Sequence, residues 1–393
     1  MSSDPVVILA ARRTPIGAFQ GVFANVTAPQ LGAVAIKAAL ADSGVASSDI
    51  DEVIMGCVLS AGLGQAPARQ AALGAGVPAA VPTTTVNKMC GSAMRAVMLA
   101  ADQIAAGSAR YAIAGGLESM TNAPYLLPKA RAGYRMGNQE VLDHMFYDGL
   151  QSPWDGQLMG CFAEATSAKY EFSRKAQDDF AAESARRAQA AVASGAFALE
   201  IAPVTAKSRK GETLIERDET PGTVDVSKIP TLKAAFKKDG TVTAASSSSI
   251  SDGGAALVLT RASIAAERGL KPLARIVGHT SFAREPEWFT LAPVGAMQKL
   301  LARLEWKAAD VDLWEINEAF AVVAMAGMRD LGLDHAKVNV NGGATALGHP
   351  IGATGARIIT TLLHALKARG GRRGVASLCI GGGEATAVAV EML

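Results

Sequence analysis

Cysteine is scarce in this chain and never closely spaced. Its four cysteines, Cys57, Cys90, Cys161 and Cys379, form no CxxC pair. That argues against a disulfide framework, offers no zinc-ligand spacing, and fits a reducing, cytoplasmic compartment. Charge is also sparse: 19% of residues are charged, with a net charge of +2, which gives no electrostatic reason to expect a nucleic-acid partner. No uninterrupted apolar run reaches the ~18 residues of a membrane span. The first strand-like run, Val6-Val7-Ile8-Leu9-Ala10, begins almost at once, so no presequence is expected. The terminal Glu391-Met392-Leu393 is not a peroxisomal address. What is abundant is apolar: 49% of 393 residues, more than one ordinary core holds, so two domains or a duplicated fold is expected.

Taken in order, the chain alternates strand-like and helix-like stretches. A helix is expected over 28–43, ended by Gly44, strands over 52–58 and 83–90, a short helix over 67–73, a helix over 91–107 and a strand over 110–116. That rhythm predicts an α/β fold with a mostly parallel sheet covered on both faces. From Glu118 to about Ile250 the rhythm is lost apart from a helix over 174–194, and this stretch reads as an inserted excursion with long functional loops. Its Lys- and Arg-rich part, 207–238, is a weak anion-cradle signal balanced by a plain solvated surface. The pattern resumes at Gly253, and a second half begins near Lys271. There an internal repeat emerges: the strand, turn, helix and glycine-ended strand of 83–116 are matched by a strand over 337–341, a turn over 342–355, a helix over 354–368 and a strand over 374–383.

Cys90 falls where the extended run Val81-Pro82-Thr83-Thr84-Thr85-Val86 meets a helix, and the helix's positive end is expected to favour its thiolate. Alone, such a cysteine reads more readily as a small buried apolar residue than as a nucleophile. The second half supplies partners at the ends of its own strands: Asn317, a glycine-rich turn with five glycines around His349, and Cys379 ahead of Gly381-Gly382-Gly383. Each has a bland reading, as a helix cap, a structural histidine or a tight turn. Together they offer a nucleophile, a base, a second acid/base and N–H donors, the set that covalent acyl transfer needs.

The runs Val86-Asn87-Lys88-Met89-Cys90-Gly91-Ser92, Asn317-Glu318-Ala319-Phe320, Asn341-Gly342-Gly343-Ala344 through Gly348-His349-Pro350-Ile351-Gly352, and Cys379-Ile380-Gly381-Gly382-Gly383 resemble the thiolase family, end to end and in its order. The resemblance implies a duplicated βαβαβαββ fold, with two mixed five-stranded sheets in a five-layer α-β-α-β-α stack and an inserted loop domain. The expected boundaries are 1–120 with 245–270, 121–244, and 271–393. It also implies ping-pong Claisen chemistry on acetyl-CoA: Cys90 carries the acyl group, His349 activates it, Cys379 moves the α-proton, Asn317 holds a water, and Gly381 donates to the oxyanion. Coenzyme A is then substrate and product, and no metal or redox cofactor is called for.

By the same resemblance Ser248 contacts the pantetheine arm, Met159, Phe320 and Leu158 line the acyl pocket, and residues 123–137 form a tetramerisation loop. Leu158 stands where the family usually has histidine, and Ala93 and Ala385 replace glycines. No arginine follows Arg217 where one often meets the adenine. Ser246 and Ser251 replace common asparagines, and no tyrosine lies near Pro221, so no potassium site is expected. The run 285–293, with Phe289, resembles acetoacetyl-CoA thiolases. The expected activity is therefore acetyl-CoA C-acetyltransferase, with a degradative 3-ketoacyl-CoA thiolase of broader chain length as the alternative. A carrier-protein-dependent ketosynthase and a non-catalytic lipid-binding subunit are the more remote readings.

Overall fold

The computed structural model describes residues 4–209 and 211–393. The strands that position the site are β1 (Val6–Arg13), β2 (Glu52–Gly56), β3 (Thr83–Val86), β4 (Tyr111–Ser119), β5 (Ser251–Arg261), β6 (Ala274–Ala283), β7 (Leu313–Ile316), β8 (Arg373–Ile380) and β9 (Glu384–Met392). They run in the order β3-β2-β4-β5-β1-β6-β9-β8-β7. The repeat read from sequence is visible in this order. Strands β3, β2 and β4 are mutually parallel, and β5 and β1 follow antiparallel. In the second half β7 and β8 are parallel, and β9 and β6 follow antiparallel. The fifth position of the second half, expected as a strand over 337–341, is reduced to one parallel bridge from Val338 to Trp314. Asn339 explains the shortfall. Its side chain takes the edge of β7, accepting from Ile316 N–H (2.9 Å) and donating to Ile316 O (2.8 Å), while its backbone turns to φ +48°. The two halves join through a short antiparallel pairing, Val7 with Arg275 and Ile8 with Ala274.

Helices α1 (Ala28–Ser43), α2 (Pro67–Gly74), α3 (Ser92–Ala106), α4 (Met159–Tyr170), α5 (Arg174–Ser194), α6 (Ala292–Leu304), α7 (Ala321–Leu331) and α8 (Thr354–Arg369) pack around these strands. α1 starts where Thr27 caps Gln30 N–H in a reciprocal capping box with Pro29 in the first turn, and it stops at Gly44 in the left-handed region. Strand alternation assigns the layers. Ala112, Ala114, Leu257 and Leu259 of one sheet face and Ala376, Leu378, Val388 and Val390 of another enclose Val97 and Ile104 of α3 and Ile358 and Leu362 of α8. The opposite faces carry Ile113 and Val258 under α1 and α2, and Val375, Ala387 and Ala389 under α6 and α7. α3 and α8 thus form the middle layer between the halves. Strands buried on both faces read as continuous apolar runs, which is why their glycine-ended stretches were legible.

The excursion is more regular than expected. α4 precedes α5, and a hairpin spans Val204–Ser208 and Gly211–Ile215. α4 escaped detection because Glu164, Thr166 and Ser167 are buried on it beside Phe162, which leaves no apolar stripe. Among the described residues no helix is long and apolar enough to cross a membrane.

The middle layer allows no added volume at Gly355, the second residue of α8. A Cβ there would collide with the backbone nitrogen of Met94 on α3. Gly355→Ala is therefore expected to cost about 1–3 kcal/mol of stability through overpacking, read as a lower thermal unfolding midpoint.

Candidate active site

Cys90 sits in a turn whose shape is set by its neighbours. Asn87 Oδ1 accepts Met89 N–H (2.9 Å), and Met89 is forced to φ +46°, rare for a side chain of that size. Ser92 closes the turn: its hydroxyl donates to Met89 O (2.6 Å) and accepts from Lys88 N–H (2.8 Å). Gly91 is needed because Ile380 of the other half occupies the space a Cβ would fill. The N–H groups of Gly381 and of Cys90 itself lie near the Cys90 sulfur and favour its thiolate. Even so, burial pushes the thiol up to about 11, against the thiolate expected at a helix N-terminus. The cause is the sulfur's removal from water, which outweighs the two N–H groups. Cys90 therefore rests as a thiol and needs a base.

His349 is the base expected from the sequence. It is 5% exposed, and burial followed by the nearby Arg357 charge lowers its pKa to about 3, so the imidazole is neutral. Its backbone N–H donates to Ser249 O (3.1 Å), Nδ1 lies 2.7 Å from Thr354 Oγ1, and Nε2 is buried with no protein partner. The following loop lies on the Cys90 turn: Ile351 packs in one cluster with Met89 and Cys90. Cys379, fully buried near the end of β8, is raised well above the ordinary thiol range by desolvation and then by the charge of Cys90, so the two sulfurs are close. Asn317 follows β7, donates its N–H to Ser377 O (3.0 Å), and leaves both amide atoms buried without a protein partner. Such atoms are satisfied by water or ligand.

Two features at the site went unread in the sequence. Glu118 is fully buried in β4 and accepts N–H groups from Val58 (3.0 Å), Leu59 (3.1 Å) and Gly352 (2.8 Å). It thereby ties a loop of the first half to the His349 loop of the second. Burial pushes it up to about 7 despite those donors. The available signal was a carboxylate ending the apolar run Tyr111-Ala112-Ile113-Ala114-Gly115-Gly116-Leu117. The second feature is an ion pair between Lys88 and Glu384, which bridges the Cys90 turn and the glycine hairpin after Cys379.

A cavity of about 340 Å³ opens beside Met89 and Gly381, lined by Met159, Phe162, Trp154 and Tyr147 among others. Of the expected pocket residues, Met159 lines it, and Leu158 stands half-buried at the start of α4. Phe289 is buried edge-on to Phe162 with centroids 6.2 Å apart, so it backs the cavity wall without lining it. Phe320 lies elsewhere, edge-on to Phe236 at 5.8 Å, and its neighbour Ala319 O accepts Ser248 N–H (3.0 Å). In the basic stretch 207–238, Lys207 pairs with Glu212 and Lys228 with Asp225, both at the solvated surface, while Lys210 lies outside the described residues.

A family model described as "Thiolase, N-terminal domain" matches residues 6–263, and one described as "Thiolase, C-terminal domain" matches 270–392. The chain is 50% identical over 390 residues to an acetyl-CoA acetyltransferase of Cupriavidus necator, covering 98% of this chain and 99% of that one. It is 48% identical to the mitochondrial acetyl-CoA acetyltransferase A of Xenopus laevis, covering 99% and 92%. Its fold is similar to the crystal structure of the Bacillus anthracis acetyl-CoA acetyltransferase, with TM-score 0.97, 42% identity and 99% coverage of both chains. It is also similar to the Acat5 thiolase of Ascaris suum in complex with coenzyme A, with TM-score 0.94, 42% identity and coverage of 99% and 100%.

Replacing Glu118 by Gln puts an NH₂ group among three N–H donors. The expected cost is about 1–3 kcal/mol in urea unfolding, together with slower turnover, because the His349 loop loses its tie.

Proposed function

The chain belongs to the thiolase family, and we propose that it is an acetyl-CoA C-acetyltransferase, interconverting two acetyl-CoA with acetoacetyl-CoA and CoA. The observation that carries the reading is the approach of the half-buried Cys90 thiol of the first half to the buried Cys379 thiol of the second, with the Gly381 N–H beside Cys90. In the first half-reaction neutral His349 takes the proton of Cys90 as the sulfur attacks the thioester carbonyl. The imidazolium returns that proton to the departing CoA sulfur, leaving acetyl-Cys90. The N–H groups of Cys90 and Gly381, which lie beside the Cys90 sulfur, are assigned to the tetrahedral oxygen as it turns anionic.

In the second half-reaction Cys379 hands its thiol proton to neutral His349 and, as thiolate, takes the α-proton of a second acetyl-CoA. Its raised pKa makes it the stronger base toward a carbon acid. The carbanion attacks the acyl carbonyl, the Cys90–acyl bond breaks, and the leaving Cys90 sulfur recovers a proton from the His349 imidazolium while Cys379 keeps the α-proton. His349 and a water on the unpartnered amide of Asn317 stabilise the enolate oxygen. Thiolysis is the same path reversed.

Coenzyme A is substrate and product. Ser248, held to Ala319 beside Phe320, is assigned to the pantetheine arm, and residues 121–244 to the cover over it, between a first half of 1–120 with 245–270 and a second of 271–393. The exposed Tyr125, Leu127 and Met136 support a homotetramer built through 123–137, and the free cysteines support a cytoplasmic setting. A second reading, thiolysis of longer 3-ketoacyl-CoA, is favoured by one observation: the cavity beside Met159 exceeds what an acetyl group fills.

Thiolysis is expected to be faster on the C4 than on the C8 3-ketoacyl-CoA, and the opposite order would establish the second reading. Cys90→Ala should abolish acetylation of the protein by acetyl-CoA, followed by mass spectrometry. Cys379→Ala should still acetylate but lose condensation by about a thousandfold or more.

A further inference from the structure

We infer that Thr354 is a positioning residue that holds His349 in the Nδ1–H tautomer, leaving Nε2 as the bare basic nitrogen. The inference deepens the reading of this site as an acyltransferase, in which His349 is the base. A histidine beside a hydroxyl can bond in two ways. Either the ring donates from Nδ1 and the hydroxyl accepts, or the hydroxyl donates to a bare Nδ1 and the ring proton sits on Nε2. What else the hydroxyl does decides between them.

Thr354 Oγ1 lies 2.9 Å from Pro350 O in donor geometry, as well as 2.7 Å from His349 Nδ1. A carbonyl only accepts, so the single hydroxyl proton belongs on the Pro350 side, and Nδ1 must then carry the other proton. This arrangement makes both bonds at once; the alternative forfeits the bond to Pro350. Thr354 has little freedom to choose otherwise. It is fully buried, it is the first residue of α8, its own N–H donates to Pro350 O (3.0 Å), and Gly355 is packed on Met94.

Nε2 fits the deduction, since it is buried with no protein partner. An N–H there would be an orphan donor, whereas a lone pair is free to take the Cys90 proton. The same network also suits the charged ring. When Nε2 gains a proton, Nδ1–H still donates to Thr354 and no hydroxyl need turn, so the site does not reorganise during transfer.

The test combines spectroscopy with kinetics. ¹⁵N NMR of the full chain labelled at its five histidines, with His349 assigned by loss of its signals in His349→Asn, is expected to show a protonated Nδ1 and a bare Nε2. Thr354→Val removes the acceptor at nearly constant shape. It should shift His349 toward the Nε2–H form and slow acetylation of Cys90 by about ten- to a hundredfold, with acetyl-CoA affinity unchanged. Thr354→Ser should retain both the tautomer and most of the rate. A wild-type Nε2–H tautomer, a Val variant that acetylates at the wild-type rate, or a Ser variant as slow as the Val variant would each overturn the assignment. If the Val variant does not fold, the wild-type spectrum and the Ser variant decide alone. Absence of acetylation in the wild-type chain would count against the proposed activity, while the tautomer of the unliganded protein is read independently of it.

Discussion

Removal from water governs this site more than any single contact. Desolvation is the largest influence on Cys90, Cys379, His349 and Glu118 alike, and it drives the two thiols and the imidazole toward their neutral forms. A site built of neutral groups is quiet until a thioester arrives. In the proposed mechanism proton transfer then occurs among partners already in place, with N–H donors beside the attacking sulfur. The same groups in water would ionise separately and have to be brought together during each turnover.

Such burial requires two halves to close tightly on one another, and the sequence records how. Glycines stand where α3 and α8 meet and where the Cys90 turn meets Ile380, because any side chain there would strike the opposite half. Polar ties then fix the register. Glu118 gathers N–H groups from both halves, and Lys88 reaches Glu384. Exposed pairs of the second kind contribute little to stability. The value of Lys88–Glu384 lies in orientation, since it spans the gap between the two sulfur-bearing turns.

Much of this was legible beforehand. α1 and α5 begin and end as read, because Thr27, Ser173, Gly44 and Gly195 are local caps acting within a few residues. The four polar motifs were legible because glycine, histidine and cysteine at strand ends have few structural uses. What stayed hidden depends on partners far away in the chain. The protonation state of Cys90 follows from how deeply the second half buries it, so helix position alone pointed the wrong way. The strand over 337–341 was lost to Asn339, whose side chain does a backbone's work at the edge of β7. Phe289, in the run that resembles acetoacetyl-CoA thiolases, stands behind Phe162, and only three-dimensional packing reveals which of two aromatic rings faces the void.

The placement of Glu118 has a consequence for how this protein can change over generations. Because a residue of the first half collects donors from Val58, Leu59 and Gly352, neither half is a free module. A recombination that joined residues 1–270 of this chain to the remainder of a distant relative would have to inherit a compatible loop at 352 as well. The halves repeat one architecture, but the contacts at Glu118 make them a matched pair.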